Sequence, residues 1–100
     1  MRVTNLNFIK RLAKTIYNSP GHNLLLQNAV QGDINSQYNL AKFYLNEMEN
    51  YVEAYAWAEV ASYRNHPYAS TVKLEAQEKL SSTQIKAAWI RARDYKLHFC

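Results

Sequence analysis

Apolar side chains recur every three or four positions along most of the chain. Leu6, Ile9, Leu12, Ala13, Ile16 and Tyr17 hold that spacing and predict an amphipathic helix over 5–18. Pro20 and Gly21 stop it. The stretch HNLLLQNAVQ predicts a short second helix over 22–31. It is closed by Gly32, the residue type best able to adopt the left-handed geometry past a helix end. Asp33 can cap a third helix, over 36–46, whose stripe is Leu40, Ala41 and Tyr44. Asn50 caps a fourth, over 51–64, with Ala54, Trp57, Ala58 and Ala61 on one face. Such small residues let a neighbouring helix approach closely, and Trp57 fills the remaining volume. Asn65-His66-Pro67 breaks the chain, and Val72, Ala76 and Leu80 form the stripe of a fifth helix over 68–80. Ser81 and Gln84 have the spacing of a capping box and open a sixth, through Ile85, Ala88, Trp89 and Ala92 to about residue 95. No strand-like alternation competes in length. The pattern therefore predicts an all-α protein of about six short helices, with neighbours packed antiparallel.

Composition agrees with that class. One hundred residues suit a single domain, and 48% apolar residues with only two glycines and two prolines favour a compact helical chain over a sandwich or a disordered tail. No apolar run approaches the roughly 18 residues that span a bilayer, so no membrane role is expected. The N-terminal stretch mixes Asn, Lys and Arg with its apolar residues and does not read as a secretory signal. A single cysteine, Cys100, excludes an intramolecular disulfide and points to a cytoplasmic location.

Two helix ends are related by a fixed offset. Gly32 and Asn65 lie 33 residues apart, and at the same offset Ala29 matches Ser62 and Ser36 matches Ala69. A period near 34 with two helices per unit is the mark of a helical solenoid, in which each hairpin is covered by the next. Here the chain resembles the Sel-one-like repeat family, relatives of the tetratricopeptide repeats. The positions matching the family pattern are Ala29, Gly32, Asp33, Ser36, Gln37, Leu40, Ala41 and Tyr44 up to and along the unit's first helix, then Ala54, Trp57, Ala61 and Ser62 on its second. NYVEAYAWAEVAS and LSSTQIKAAWIRARDY look like the second helix and the C-terminal cap of small bacterial members. The shorter NEMEN replaces the family's glycine-rich loop, and Ala41 stands where glycine is usual. Lys73 and Gln77 occupy apolar places in a degenerate second unit. The resemblance implies short stacked hairpins over 24–100, preceded by a basic amphipathic helix and linker over 1–23. It also implies a role in protein–protein interaction, without catalysis or a cofactor.

His22, His66 and His98 are isolated in sequence, with no paired-ligand spacing that would hold a metal. Glu47 and Glu49 flank Met48 in a turn, the setting of solvated carboxylates rather than an acid/base pair. Neither glycine belongs to a phosphate-cradling motif, and a terminal Cys100 lacks the frame of a nucleophile. No catalytic residue is expected.

The side of the third helix opposite the Leu40/Ala41/Tyr44 stripe is the expected binding side. Tyr38, Lys42 and Asn46 follow one another at four-residue spacing and form a polar-aromatic line, the expected contact with a partner protein. Tyr44, Tyr55 and Trp57 are expected in the core. A truncated solenoid also leaves a partly capped end face, which makes a homodimer an expected assembly. The alternative comes from charge. Residues 1–20 hold four bases and no acid, 21–80 four bases against seven acids, and 81–100 four bases against one. Lys10, Arg11 and Lys14 at one end and Arg91, Arg93 and Lys96 at the other form a basic patch for nucleic acid if the two ends meet.

Overall fold

The computed structural model describes residues 20–100. The helix expected over 5–18, with Lys10, Arg11 and Lys14, lies outside them. The described residues form five α-helices and no strand: α1 (Pro20–Val30), α2 (Ile34–Phe43), α3 (Tyr51–Tyr63), α4 (Ala69–Glu78) and α5 (Ser82–Phe99), with a π-helical turn, Tyr44–Met48, continuing α2. The all-α expectation therefore holds for residues 20–100.

Helix boundaries follow local chemistry. Pro20 opens α1 two residues before the expected start, at a position where its missing N–H costs nothing. The boundary expected between residues 23 and 24 thus falls inside a helix. At the other end of α1 the Gly32 N–H donates to the Ala29 carbonyl and the Asp33 N–H to the Asn28 carbonyl, each at 3.0 Å. This is a Schellman closure with Gly32 at φ 99°. Asn65, at φ 70°, closes α3 in the same way: its N–H reaches Ser62 and that of His66 reaches Ala61, both at 2.9 Å. The two positions related by 33 residues share one backbone role.

Three helix starts match their expected caps. Asp33 Oδ2 accepts from the Ser36 N–H at 2.8 Å, and Asn50 Oδ1 from the Glu53 N–H at 3.2 Å. Ser81 and Gln84 bond reciprocally, Oγ accepting from the Gln84 N–H and Oε1 from the Ser81 N–H. The third helix differs from expectation. It starts at Ile34 rather than 36, and its α-geometry ends at Phe43, where NEMEN is reached through the wider π turn. That turn closes on Glu49 in left-handed geometry, φ 51°, without a glycine. The last helix runs four residues beyond 95, to Phe99.

Helix α3 is the centre of the molecule. Glu53, Ala54, Tyr55, Ala56, Trp57, Ala58, Val60 and Ala61 are all buried, so the helix has no solvent face along most of its length. Its alanines let α2, α4 and α5 pack against it on different sides. Trp57 fills the space toward α5, its ring 4.5 Å from that of Tyr95 and 5.7 Å from that of Phe99. Neighbouring helices are expected to pack against each other, but α4 and α5 both lie on α3 and have little contact with each other. The physical reason is on α4, whose Lys73 and exposed Leu74 and Gln77 leave only Ala69, Val72 and Ala76 as a narrow buried stripe, spent on α3.

The far end of α5 returns to the first helix junction. Gln37, fully buried on α2, donates to the carbonyl of Ala29 at 3.0 Å and to that of Phe99 at 3.1 Å. The Arg64 guanidinium donates to the Gly32 carbonyl. A Cβ on Gly32 would meet Arg64 Nη1 at 3.5 Å and the Phe99 carbonyl oxygen at 3.7 Å, both ordinary contacts. Gly32→Ala is therefore expected to cost only its backbone strain, about 1 kcal/mol. A thermal melt should show a drop of about 5 °C; an unchanged midpoint would mean that the left-handed geometry is not required there.

Candidate partner-binding face

Tyr38, Lys42 and Asn46 come together as the sequence spacing anticipates, although Asn46 lies on the π turn rather than on α2. With Leu45 they form one wall of an open cavity of about 290 Å³; Tyr68, Thr71, Val72 and Glu75, from the start of α4 and its first turns, form the other. A space of this size accepts one or two side chains of a partner. Val72 and Leu45 make part of its lining apolar, while Lys42 on one side and Glu75 on the other give it both signs of charge.

The aromatic part is held in place before any ligand arrives. The Tyr38 ring stacks on the His66 imidazole, centroids 4.0 Å apart and planes 17° from parallel. His66 Nδ1 accepts the Tyr68 N–H at 3.2 Å, and the His66 and Tyr68 rings meet edge to face at 6.0 Å. Lys42 Nζ lies 5.3 Å from the Tyr38 ring centroid, within cation–π range. Tyr38 is half-buried by this stack, so its exposed edge is presented in one orientation. Tyr68 keeps 65% of its surface exposed. His66 and Tyr68 were not singled out for binding by sequence, and the signal for them is weak: they flank Pro67 in a helix break.

Two of the three α5 cations nominated for nucleic acid face inward. Arg91 bonds the Glu53 carboxylate, and Lys96 Nζ lies 3.0 Å from Glu59 Oε2. Arg93 remains exposed, 3.9 Å from Asp94. Glu59 also takes Lys73 Nζ at 2.9 Å, so one carboxylate on α3 ties down both α4 and α5. Burial works against the Glu59 charge, but the two ammonium groups outweigh it and hold its pKa below the usual carboxylate value.

A buried polar cluster lies on the other side of α3, and sequence reasoning missed it. Glu53 is 1% exposed and accepts from Arg91 and, at 2.6 Å, from the Tyr95 hydroxyl. Burial opposes the Arg91 charge, yet Glu53 beside it raises the guanidinium pKa above its ordinary value. Burial and the same carboxylate push the Tyr95 phenol well up, and likewise that of Tyr44. His22, expected as an isolated residue, is buried in α1 against the rings of Phe43 and Tyr44, at 4.5 and 5.3 Å. The signals in sequence are a lone acid in the apolar run YVEAYAWA and an Arg91/Tyr95 pair spaced four apart. The cluster bridges helices rather than lining a cleft, and among the described residues no group of His, Cys, Asp and Glu has the arrangement of a metal site. No described helix is long and apolar enough to cross a membrane.

Compared with known proteins, the chain matches no family model, no curated protein and no solved structure, so its likeness to the Sel-one-like repeats rests on the quoted residues alone.

Proposed function

We propose that this chain is a non-catalytic protein-interaction module, a small adaptor or inhibitor whose action is binding itself. It reads as a shortened, degenerate helical-repeat unit of the Sel-one-like kind. In that reading α2 and α3 are the retained hairpin, and α4 and α5 serve as its cap. One observation carries the proposal: three residues nominated by their spacing line a single open groove with Tyr68 and Glu75. The groove offers a partner an apolar seat, a fixed aromatic edge and a charge on each side. Such a combination suits a protein segment with an apolar anchor better than a small reactive substrate.

The experiment is a comparison of partners captured by the wild-type chain and by a Tyr38→Ala/Lys42→Glu double variant, quantified by mass spectrometry. Loss of the captured partner, at least about tenfold, with an unchanged helical circular dichroism spectrum is expected. Undiminished capture by a folded double variant refutes the groove assignment. If the captured material is instead nucleic acid, and its retention falls steeply with salt, the basic-patch alternative replaces this one.

A further inference from the structure

Helix α5 turns Ala88, Ala92 and Tyr95 inward, and its opposite side exposes two large apolar residues. Ile90 is 53% exposed and Leu97 73%, with Trp89, 55% exposed, on the flank. At helical spacing Thr83, Lys86, Ile90, Asp94 and Leu97 share that outer side, all exposed. Ile90 and Leu97 are seven residues apart, so they lie along one seam.

We propose that this face of α5 pairs with the same face of a second copy, antiparallel, with the two-fold axis at Ile90. In that arrangement residues equally far from Ile90 oppose each other. Lys86 and Asp94 are both four positions away, so Lys86 of each copy meets Asp94 of the other, twice in the dimer. Ile90 packs on Ile90, Leu97 on Thr83, and the stem of Arg93 on Ala87, each pair again equidistant. The charges select this direction. A parallel pairing in register would set Lys86 on Lys86, Arg93 on Arg93 and Asp94 on Asp94, three like-charge pairs in place of two opposite-charge ones. Both members of the selected pair are available: Lys86 makes no ion pair among the described residues, and Asp94 holds only the long, exposed contact with Arg93. The same patch on both copies satisfies the self-complementarity that a closed dimer requires. With two large apolar residues per copy in the seam the dimer is reversible rather than obligate.

The surface is separate from the Tyr38 groove, so this inference stands or falls independently of the proposed function. If both hold, each dimer presents two grooves, and a partner with repeated segments gains avidity.

Sedimentation velocity of the full chain from about 1 to about 500 µM tests it. The expected result is a shift from monomer to dimer across that range. Lys86→Glu alone, or Asp94→Lys alone, sets like charges across the seam and weakens the dimer at least about tenfold. The exchange Lys86→Glu with Asp94→Lys restores association close to wild type, which general stickiness of an apolar ridge would not do. Both substitutions are at exposed positions, and circular dichroism checks that the fold is retained in all three variants. A chain that stays monomeric throughout overturns the proposal. So does a dimer indifferent to the single changes, or a double exchange that fails to restore it.

Discussion

Replacing Arg91 with methionine is expected to lower the unfolding free energy by about 3 kcal/mol, because it leaves the Glu53 carboxylate charged, buried and short of a partner. Glu53 sits in the first turn of α3, where the helix N-terminus favours a negative charge, and it is 1% exposed. Water cannot replace the guanidinium easily, although the Arg91 side chain itself is 34% exposed, which places the cost at the lower end of the range for broken buried pairs. Tyr95 still donates to the carboxylate at 2.6 Å, and one neutral hydroxyl is a weak substitute for a cation. Adding Glu53→Gln to Arg91→Met removes the stranded charge while keeping an acceptor for Tyr95. It should return more than half of the loss, a coupling that simple additivity forbids. Lys73→Met provides the contrast. Its partner Glu59 is 22% exposed and keeps Lys96, so the change should cost less than about 1 kcal/mol. Urea unfolding of these four proteins and of Glu53→Gln alone reads all of this; equal losses at Arg91 and Lys73 would show that Glu53 is not left as a stranded charge.

That contrast also marks which features could be read from sequence. The caps at Asp33, Asn50 and Ser81 were legible because each bond closes within three residues, where side-chain identity and helix geometry decide the outcome alone. Gly32 and Asn65 were legible for the same reason. One wall of the groove was legible too, since Tyr38 and Lys42 are neighbours on any α-helix. Its other wall was not, because Tyr68 and Glu75 reach the site only through the packing of α4 on α3. Glu53 and Arg91 are 38 residues apart and Gln37 and Phe99 62, and no local rule relates such positions. The α4–α5 pair shows the limit most clearly. A short connection makes antiparallel packing the default, but an alanine-rich α3, with Glu53 and Glu59 as ion-pair partners, offered both helices a better surface than each other. The π turn was illegible for a different reason: nothing in YLNEM separates it from one more turn of α-helix.

Acid should weaken the fold through His22 before it does so through the carboxylates. Burial against the Phe43 and Tyr44 rings lowers the His22 pKa from 6.5 to about 4, and its place in the first turn of α1 disfavours a cation further. The folded protein thus keeps the imidazole neutral, while the unfolded chain takes up a proton near pH 6.5. Between those two values the unfolded state binds more protons, so stability rises with pH. His22's contribution is complete above about pH 6.5, declines as the pH falls toward 4, and is gone below it, for a total of about 3 kcal/mol. About 2 kcal/mol of that is lost by pH 5, above the range in which Glu59 and Asp33, both with lowered pKa values, release their own contributions. His22→Leu keeps an apolar side chain against the two rings and removes the titration. Urea midpoints measured at pH 7.5 and pH 5 should therefore fall for the wild-type chain and hold nearly level for the variant. A variant that loses as much as the wild type would mean that the proton is taken up elsewhere, and that His22 is not held neutral by its burial.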